Sequence, residues 1–375
     1  MRLSSRVADL QPSPIREILS VISRPGMISF AGGLPAAETF AELATNIPRD
    51  VLQYGASEGE AALRERIAED LKLLGLQCDL EQVLILSGSQ QGIDLVAKLF
   101  IDQETPVAVE SPTYLAALQV FRFFGAKMSP FNANNLRADM LIEQSAALLY
   151  AIPTFQNPTG HCYTTTQREA LAHACDESGV PLFEDDPYRD LFYDACDRKP
   201  VCSLLKHSSW IYQSSFSKCF APGIRLGFLA ASKDLITPLI RLKQAADLHS
   251  NRISQWWALQ YLQNPNREQQ LAKLASIYKA KRDHFDQLLH RYFDDLATWQ
   301  MPMGGLFFWL TLKSKLDTRK LLPVAIEQGV AFMPGEPFYP EPIDAGGTLR
   351  LNFSHAGVED AQRGLEILAN LVRHA

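Results

Sequence analysis

An α/β fold, with a mostly parallel sheet sandwiched by helices and a smaller C-terminal α+β domain, is what this chain predicts on three observations. From about residue 55 to about residue 255, short apolar runs alternate with amphipathic helical stretches, the pattern of repeated strand–loop–helix units. Each apolar run ends in glycine, proline or polar residues, where the carboxyl end of a strand gathers functional groups in such sheets. The 375 residues also exceed what one simple core organises, so two domains are expected.

The elements follow in order. Leu84-Ile85-Leu86 reads as a strand ending at Ser87-Gly88-Ser89, with the apolar spacing of a helix in the GIDLVAKLF that follows. Pro106-Val107-Ala108-Val109 is a second strand, before Glu110-Ser111-Pro112, and Ala147-Leu148-Leu149-Tyr150 a third, before a proline-rich turn. Val180-Pro181-Leu182-Phe183 runs into Glu184-Asp185-Asp186, and Ile211-Tyr212 into a serine-rich loop. Residues 266–298 read as one long helix carrying Leu271, Leu274, Ile277 and Tyr278 at helical spacing. After it, the run from Gly305 to Leu310 is a strand that opens the C-terminal unit.

Composition narrows the function classes. With 47% hydrophobic and 21% charged residues the chain has the make-up of a soluble globular enzyme. A net charge of -6 argues against a general nucleic-acid binder, which normally presents a basic face. No apolar run approaches bilayer-spanning length, and MRLSSRVADLQPSPIREIL lacks the apolar core of a secretory signal, so no membrane and a cytoplasmic setting are expected. The six cysteines (78, 162, 175, 196, 202 and 219) form no C-x-x-C pair, which suits reduced thiols better than a disulfide frame or a zinc site; no metal is expected.

The most informative stretch is QSSFSKCFAPGIRLGF, residues 213–228. Its lysine, Lys218, has an amine that can condense with an aldehyde, and Ser215, Ser217 and Arg225 around it offer hydroxyls and a planar fork for a phosphate. Alone, the same residues also make an ordinary solvated loop. Ser87 to Gly92, between a strand and a helix, can hold an anion at the helix N-terminus through Ser89 and Gln90, or can simply cap the helix. It is neither a Walker loop nor G-x-G-x-x-G. Asn157, in Asn157-Pro158-Thr159-Gly160, is either a turn former or an amide for a ring hydroxyl or a carboxylate. Asp185, at the end of an apolar strand, can pair with a protonated ring nitrogen, and Tyr188 can donate to an oxygen on the same ring. Tyr114 offers a face to stack on that ring, or packs in the core.

Phosphate cradle, stacking ring, amide, carboxylate, phenol, and a lysine with an arginine behind it form the set that pyridoxal 5'-phosphate needs. In these motifs the chain resembles the pyridoxal-phosphate aminotransferases of the aspartate aminotransferase fold type (fold type I, class I/II). It is most similar to the branch with aminoadipate and kynurenine aminotransferases and the effector domains of MocR-type regulators. The likeness rests on SPIREIL (13–19), FAGGLPAAETF (30–40), LQYGASEGEAALRERIA (52–68), SGSQQGIDL (87–95), ESPTY (110–114), SFSKCFAPGIRLG (215–227), QAADLHSN (244–251), MPMGGLFFWL (301–310), FMPGEPFY (332–339) and LRLNFSH (349–355), nearly the whole chain.

The resemblance implies an aminotransferase that moves an amino group from an L-amino acid to a 2-oxo acid such as 2-oxoglutarate in a ping-pong cycle. It implies that Lys218 holds the cofactor as a Schiff base and shuttles the proton, that Asp185 holds the pyridinium, and that Tyr188 and Asn157 hold the ring oxygen. Ser89, Gln90, Ser215, Ser217 and Arg225 would bind phosphate, and Tyr54 would reach in from the second subunit of a homodimer. Arg350 would clamp the substrate carboxylate with Asn157, while Gly32, Gly33 and Arg16 line the pocket. It also implies an N-terminal segment (1–45) that joins the small domain and the pocket, a large cofactor-binding domain (46–265) and a small domain (266–375). Where relatives commonly have proline after G-L-P-x-x-x-x-F, this chain has Ala41, a departure on the substrate side. Phe30, Phe40, Phe155, Phe338 and Tyr339 point to an aromatic or bulky apolar donor, and Arg16 to an aminoadipate-like one. A lyase, decarboxylase or racemase on the same scaffold, and a non-catalytic effector-sensing module, are the competing readings.

Overall fold

The computed structural model describes residues 26–341 and 346–375 together with Val7 and Arg24. Its strands, in chain order, are β1 (Ile28–Ser29), β2 (Val83–Leu86), β3 (Pro106–Glu110), β4 (Lys127–Phe131), β5 (Leu148–Ala151), β6 (Leu182–Asp185), β7 (Trp210–Ser215) and β8 (Gly227–Ala231), followed by β9 (Ala297–Thr298), β10 (Phe307–Leu312), β11 (Val330–Ala331), β12 (Met333–Pro334) and β13 (Thr348–Asn352). The α-helices are α1 (Ala61–Leu73), α2 (Ser89–Phe100), α3 (Leu115–Phe124), α4 (Ala138–Glu143), α5 (Thr165–Ser178), α6 (Lys233–Asp247), α7 (Arg252–Gln263), α8 (Arg267–Phe293), α9 (Thr318–Glu327) and α10 (Val358–His374).

Among the described residues the main sheet runs β2-β8-β7-β6-β5-β3-β4. Its pairs are parallel from β4 through β7, and β8 alone is reversed, antiparallel to both neighbours. Strands β2, β5 and β6 are buried at every position, which explains why they read as unbroken apolar runs rather than alternating ones. Successive side chains still point to opposite faces. Leu84, Leu86, Val107 and Val109 pack with Ile93 and Val96 of α2, Phe121 of α3 and Leu239 of α6. Their neighbours Val83, Ile85 and Ala108 pack on the other face with Ile67 of α1, Leu171 of α5 and Ala258 of α7.

A second, antiparallel sheet runs β12-β13-β10-β9, and its core joins Leu310 and Leu351 to Phe285 and Leu289 of α8 and to Leu365 and Leu368 of α10. β1 pairs in parallel with β11, so the N-terminal segment is hydrogen-bonded to the C-terminal part of the chain. Two boundaries differ from the sequence reading. The long helix stops at Phe293 because Ala297-Thr298 is taken up as β9, paired with Leu312 and Thr311. The strand expected from Gly305 begins at Phe307, since Gly305 sits at φ +72°, and a Cβ at Gly304 would strike the Phe155 ring. Among the described residues, no helix is long and apolar enough to cross a membrane.

Candidate active site

Because β3, β5, β6 and β7 are parallel, their carboxyl ends share one edge, and the polar residues that end them meet there. Asp185 ends β6 and is 3% exposed. Its Oδ2 accepts from the Tyr150 hydroxyl at 2.9 Å and its Oδ1 from Gln213 Nε2 at 3.0 Å. Burial pushes its carboxyl up to about 6 against the pull of these two hydrogen bonds. No cation pairs with it among the described residues. Gln213 lies directly opposite Asp185 in the β6–β7 register, and a Cβ at Gly92 of α2 would collide with its Oε1, so this amide is wedged in place.

Lys218 lies in the loop joining β7 to the reversed β8. Its Nζ donates to the Gly33 carbonyl at 2.8 Å and lies 5.8 Å from the centre of the Tyr188 ring. Burial lowers its ammonium to about 8, helped by the positive charges of Arg350 and Arg225, which favours the free amine. Across the loop, Gly88 precedes α2 at φ +87°. A Cβ there would come within 2.6 Å of Arg225 Nη2, so the guanidinium rests on bare backbone. Ser89 and Gln90 open α2, whose first N–H groups lack helical partners. A Cβ on Gly227 would lie 3.0 Å from Ser89 N, so β8 and α2 close on the same spot. Ser215 and Ser217 are adjacent, with Ser217 N donating to Ser215 Oγ at 3.1 Å.

Arg350, on β13 of the second sheet, is 3% exposed. Its Nη1 donates to Asn157 Oδ1 at 2.7 Å and its Nη2 to the Ala31 carbonyl at 2.6 Å, while its Nε is buried without a partner. The guanidinium carbon stands 4.1 Å from the centre of the Phe307 ring and 5.1 Å from that of Phe338. Desolvation lowers its pKa to about 10. Tyr188 hydrogen-bonds Asn157, and burial raises its phenol above the usual value. Tyr114, at the N-cap of α3, has its phenol pushed up to about 12 by burial and feels the charges of Asp185, Arg350 and Arg225.

The structure thus links Gly33, Lys218, Tyr188, Asn157 and Arg350 through successive contacts, with Tyr114 close enough to feel the charges of Asp185 and Arg350. Ser89, Gln90, Ser215, Ser217 and Arg225 cluster at the mouth of the lysine loop. Tyr54 stands apart: it is 76% exposed and touches His249 edge-on at 5.7 Å. Arg16 lies outside the described residues. The aromatic expectation needs correction. Phe30 packs against Phe285 in the C-terminal core, Phe155 lies under Gly304 and Gly305, Phe40 is 43% exposed and Tyr339 faces Trp309. Of those five only Phe338 faces Arg350, and the other ring there is Phe307, whose Cζ is 3.2 Å from a Cβ built on Gly33. Tyr150 and Gln213 are further partners of Asp185 that the sequence reading does not single out, because only the alignment of β5, β6 and β7 brings them to it.

The residues fit pyridoxal phosphate. A buried carboxylate with no cation among the described residues suits a protonated ring nitrogen, the bare backbone of Gly88 under Arg225 suits a phosphate, and the Lys218 amine, its pKa lowered to about 8, lies close enough to feel the Arg225 charge.

Comparison with known proteins agrees. The model of the family described as "Aminotransferase class I and II" matches residues 29–368. The aromatic-amino-acid aminotransferase 1 of Thermococcus litoralis is 34% identical over 99% of this chain and 94% of its own. The crystal structure of the Pyrococcus horikoshii kynurenine aminotransferase in complex with PMP superposes with a TM-score of 0.90 at 32% identity, covering 99% of this chain and 97% of that one. The α-aminoadipate aminotransferase LysN from Thermus thermophilus, complexed with N-(5'-phosphopyridoxyl)-L-leucine, gives 0.87 at 32% identity with the same coverage.

Proposed function

The chain belongs to the class I and II aminotransferases and is a pyridoxal-phosphate-dependent transaminase, and from that premise we propose its substrates and the work of each residue. The amino donor is an aromatic, bulky apolar or aminoadipate-like L-amino acid, the acceptor is a 2-oxo acid such as 2-oxoglutarate, and the two half-reactions alternate in a ping-pong cycle. One observation carries this reading: Asp185 and Arg350 are buried charges of opposite sign, neither with an ion pair among the described residues, and Lys218 feels the Arg350 charge.

When bound, the cofactor supplies an aldehyde that condenses with amines and a ring that takes up electrons from the substrate Cα. Asp185 keeps the ring nitrogen protonated, and Tyr150 and Gln213 aim the carboxylate. Ser89, Gln90, Ser215, Ser217 and Arg225 hold the phosphate with the α2 N-terminus. Tyr114 would cover the ring face, and Tyr188 and Asn157 would donate to the ring oxygen. Arg350 takes the substrate carboxylate as a fork, with Asn157 fixing the fork's tilt. Lys218, whose ammonium is lowered to about 8, would take the proton from the substrate Cα at Nζ and hold it for return. Phe307 and Phe338 exclude water around Arg350 and give an apolar side chain a wall. Gly33, and Arg16 beyond it, complete the substrate side.

We further propose the division into an N-terminal segment (1–45), a large domain (46–265) and a small domain (266–375). The apolar core under the second sheet, distinct from those on the two faces of the main sheet, supports it. The exposure of Leu52, Tyr54 and Leu248 supports a homodimer in which Tyr54 reaches the partner's phosphate. Sedimentation that finds a fully active monomer removes that part.

The direct test of the function is the absorption spectrum of cofactor-loaded protein as single amino acids are added without any oxo acid. Conversion of the visible band to the pyridoxamine form, restored by 2-oxoglutarate, is the expected result, and the amino acids that cause it define the donor class. A band that no amino acid converts would refute transamination.

A further inference from the structure

A pair of cysteines outside this site carries chemistry that transamination does not use. All six cysteines are free thiols. Cys78, Cys175 and Cys202 are buried, and desolvation pushes their thiols up, Cys78 to about 11 and Cys175 to about 12. Cys219, though partly exposed, is likewise pushed up to about 12 by its surroundings. Cys162 and Cys196 are different. Both are partly exposed and close enough to act on each other electrostatically, and Cys162 Sγ lies 3.3 Å from the carbonyl of Asp197, the residue after Cys196. Nη2 of Arg168, a residue with no exposed surface, lies 3.5 Å from the same sulfur. The Cys196 side chain first, and the Arg168 charge after it, hold the Cys162 thiol at about 7, while Cys196 is raised.

The surroundings fix this arrangement. Cys162 stands just before the N-cap of α5, where Thr164 and Gln167 form a reciprocal capping box. The carbonyl of Asp197, next to Cys196, accepts from Cys162 Sγ at 3.3 Å and from Arg168 Nη2 at 2.8 Å. The Asp197 carboxylate accepts from Thr165 Oγ1 at 2.7 Å. Arg168 Nη1 also holds the Lys199 carbonyl at 3.0 Å. One buried arginine therefore pins both cysteine-bearing segments side by side.

We propose that Cys162 and Cys196 form a reversible thiol–disulfide site, closed by an oxidant of the peroxide class. The Cys162 thiolate attacks one peroxide oxygen, the O–O bond breaks, and the departing hydroxide is protonated to water, leaving a sulfenic acid on Cys162. The Cys196 sulfur then attacks the Cys162 sulfur, and its proton leaves with the displaced hydroxyl as a second water. The two thiols lose two electrons and the peroxide gains them. The new bond joins the segment that carries Asn157 to the one that follows Tyr188, so oxidation staples together two walls of the active site.

Cofactor-loaded protein treated with one equivalent of hydrogen peroxide, then alkylated and peptide-mapped without reductant, tests this. The expected product is the 162–196 linkage, reversed by dithiothreitol. In untreated protein at pH 7, Cys162 should alkylate at least about tenfold faster than Cys219. In Cys196→Ser, dimedone should capture a sulfenic acid on Cys162, and in Cys162→Ser the oxidation of Cys196 should slow at least about tenfold. Oxidation spread over the other four cysteines, or Cys162 alkylating no faster than Cys219, overturns the proposal. The alkylation comparison uses the unmutated chain, so it decides the matter even where a variant folds poorly.

Discussion

Asp185 and Arg350 are equally buried, yet the protein holds them in opposite ways. Asp185 stands on the main sheet and receives two hydrogen bonds from side chains of neighbouring strands, Tyr150 and Gln213. Arg350 stands on the second sheet, donates to an amide oxygen and a backbone carbonyl, and lies against two phenyl rings. Both are desolvated against their charged forms, the acid raised to about 6 and the arginine lowered to about 10. An uncompensated buried charge costs several kcal/mol. The fold carries that cost twice, and a cation bound at Asp185 with an anion bound at Arg350 would relieve both. Under the proposed function the difference in mounting separates two jobs: the strand-held acid would act on the ring throughout the cycle, while the ring-flanked arginine would take and release a substrate.

The largest effect should come from the residue between the two. Lys218→Ala is expected to lower turnover by at least about 10⁴-fold, measured in single turnovers, with the visible band of bound cofactor abolished. Activity within tenfold of the parent would remove Lys218 from the chemistry. The comparison itself is tested by pairing Asp185→Asn with Arg350→Gln. The first should lower kcat by about 10²–10⁴-fold with little change in the KM of the amino donor. The second should raise that KM by about 10²–10³-fold, the effect of a charge-assisted fork worth roughly 3–4 kcal/mol, with a smaller loss in kcat. If both variants fail in the same parameter, the division of labour is wrong.

Two smaller effects sharpen the same contrast. Gln213→Met removes one donor from Asp185 and should reduce kcat about tenfold without moving the donor KM; a shifted KM would mean that Gln213 shapes the substrate side instead. The last effect concerns pH. Asp185 has a folded pKa above its ordinary value, so the folded chain holds that proton more tightly than the unfolded chain does. The contribution is present at low pH and is lost as pH rises through about 6. The stability of cofactor-free wild type relative to Asp185→Asn should therefore fall between pH 4 and pH 7, by roughly 3 kcal/mol at most. Parallel urea midpoints across that range would show that the acid is not strained in the cofactor-free protein.

Much of this was legible in the sequence because the chemistry sits where apolar strands stop. Asp185, Asn157, Tyr114, Ser89 and Lys218 each follow such a run, and the parallel order of β3, β5, β6 and β7 brings those ends together. Partners set by register were not legible. Gln213 and Tyr150 meet Asp185 only once β5, β6 and β7 are aligned, and nothing local distinguishes them from core residues. Aromatic lining failed for the same reason: Phe30 and Phe307 look alike in sequence, yet one packs on α8 and the other on Arg350. The end of α8 was overrun because β9 exists only by pairing with β10.

The pairing of Asp185 with Gln213 across β6 and β7 has one more consequence. The acid and the lysine are spaced by a hydrogen-bonded ladder, not by the chain between Leu191 and Trp210 that joins them. Residues gained or lost in that connection would disturb its own contacts with Arg168 but leave the interval between the two groups unchanged. A single residue inserted inside β7 after Gln213 would shift the strand residues that follow by about one step of 3.3 Å and turn them to the opposite face, carrying the start of the lysine loop with them. The ladder therefore works as a ruler, setting the interval between the acid and the start of the lysine loop whatever the length of the chain that joins them.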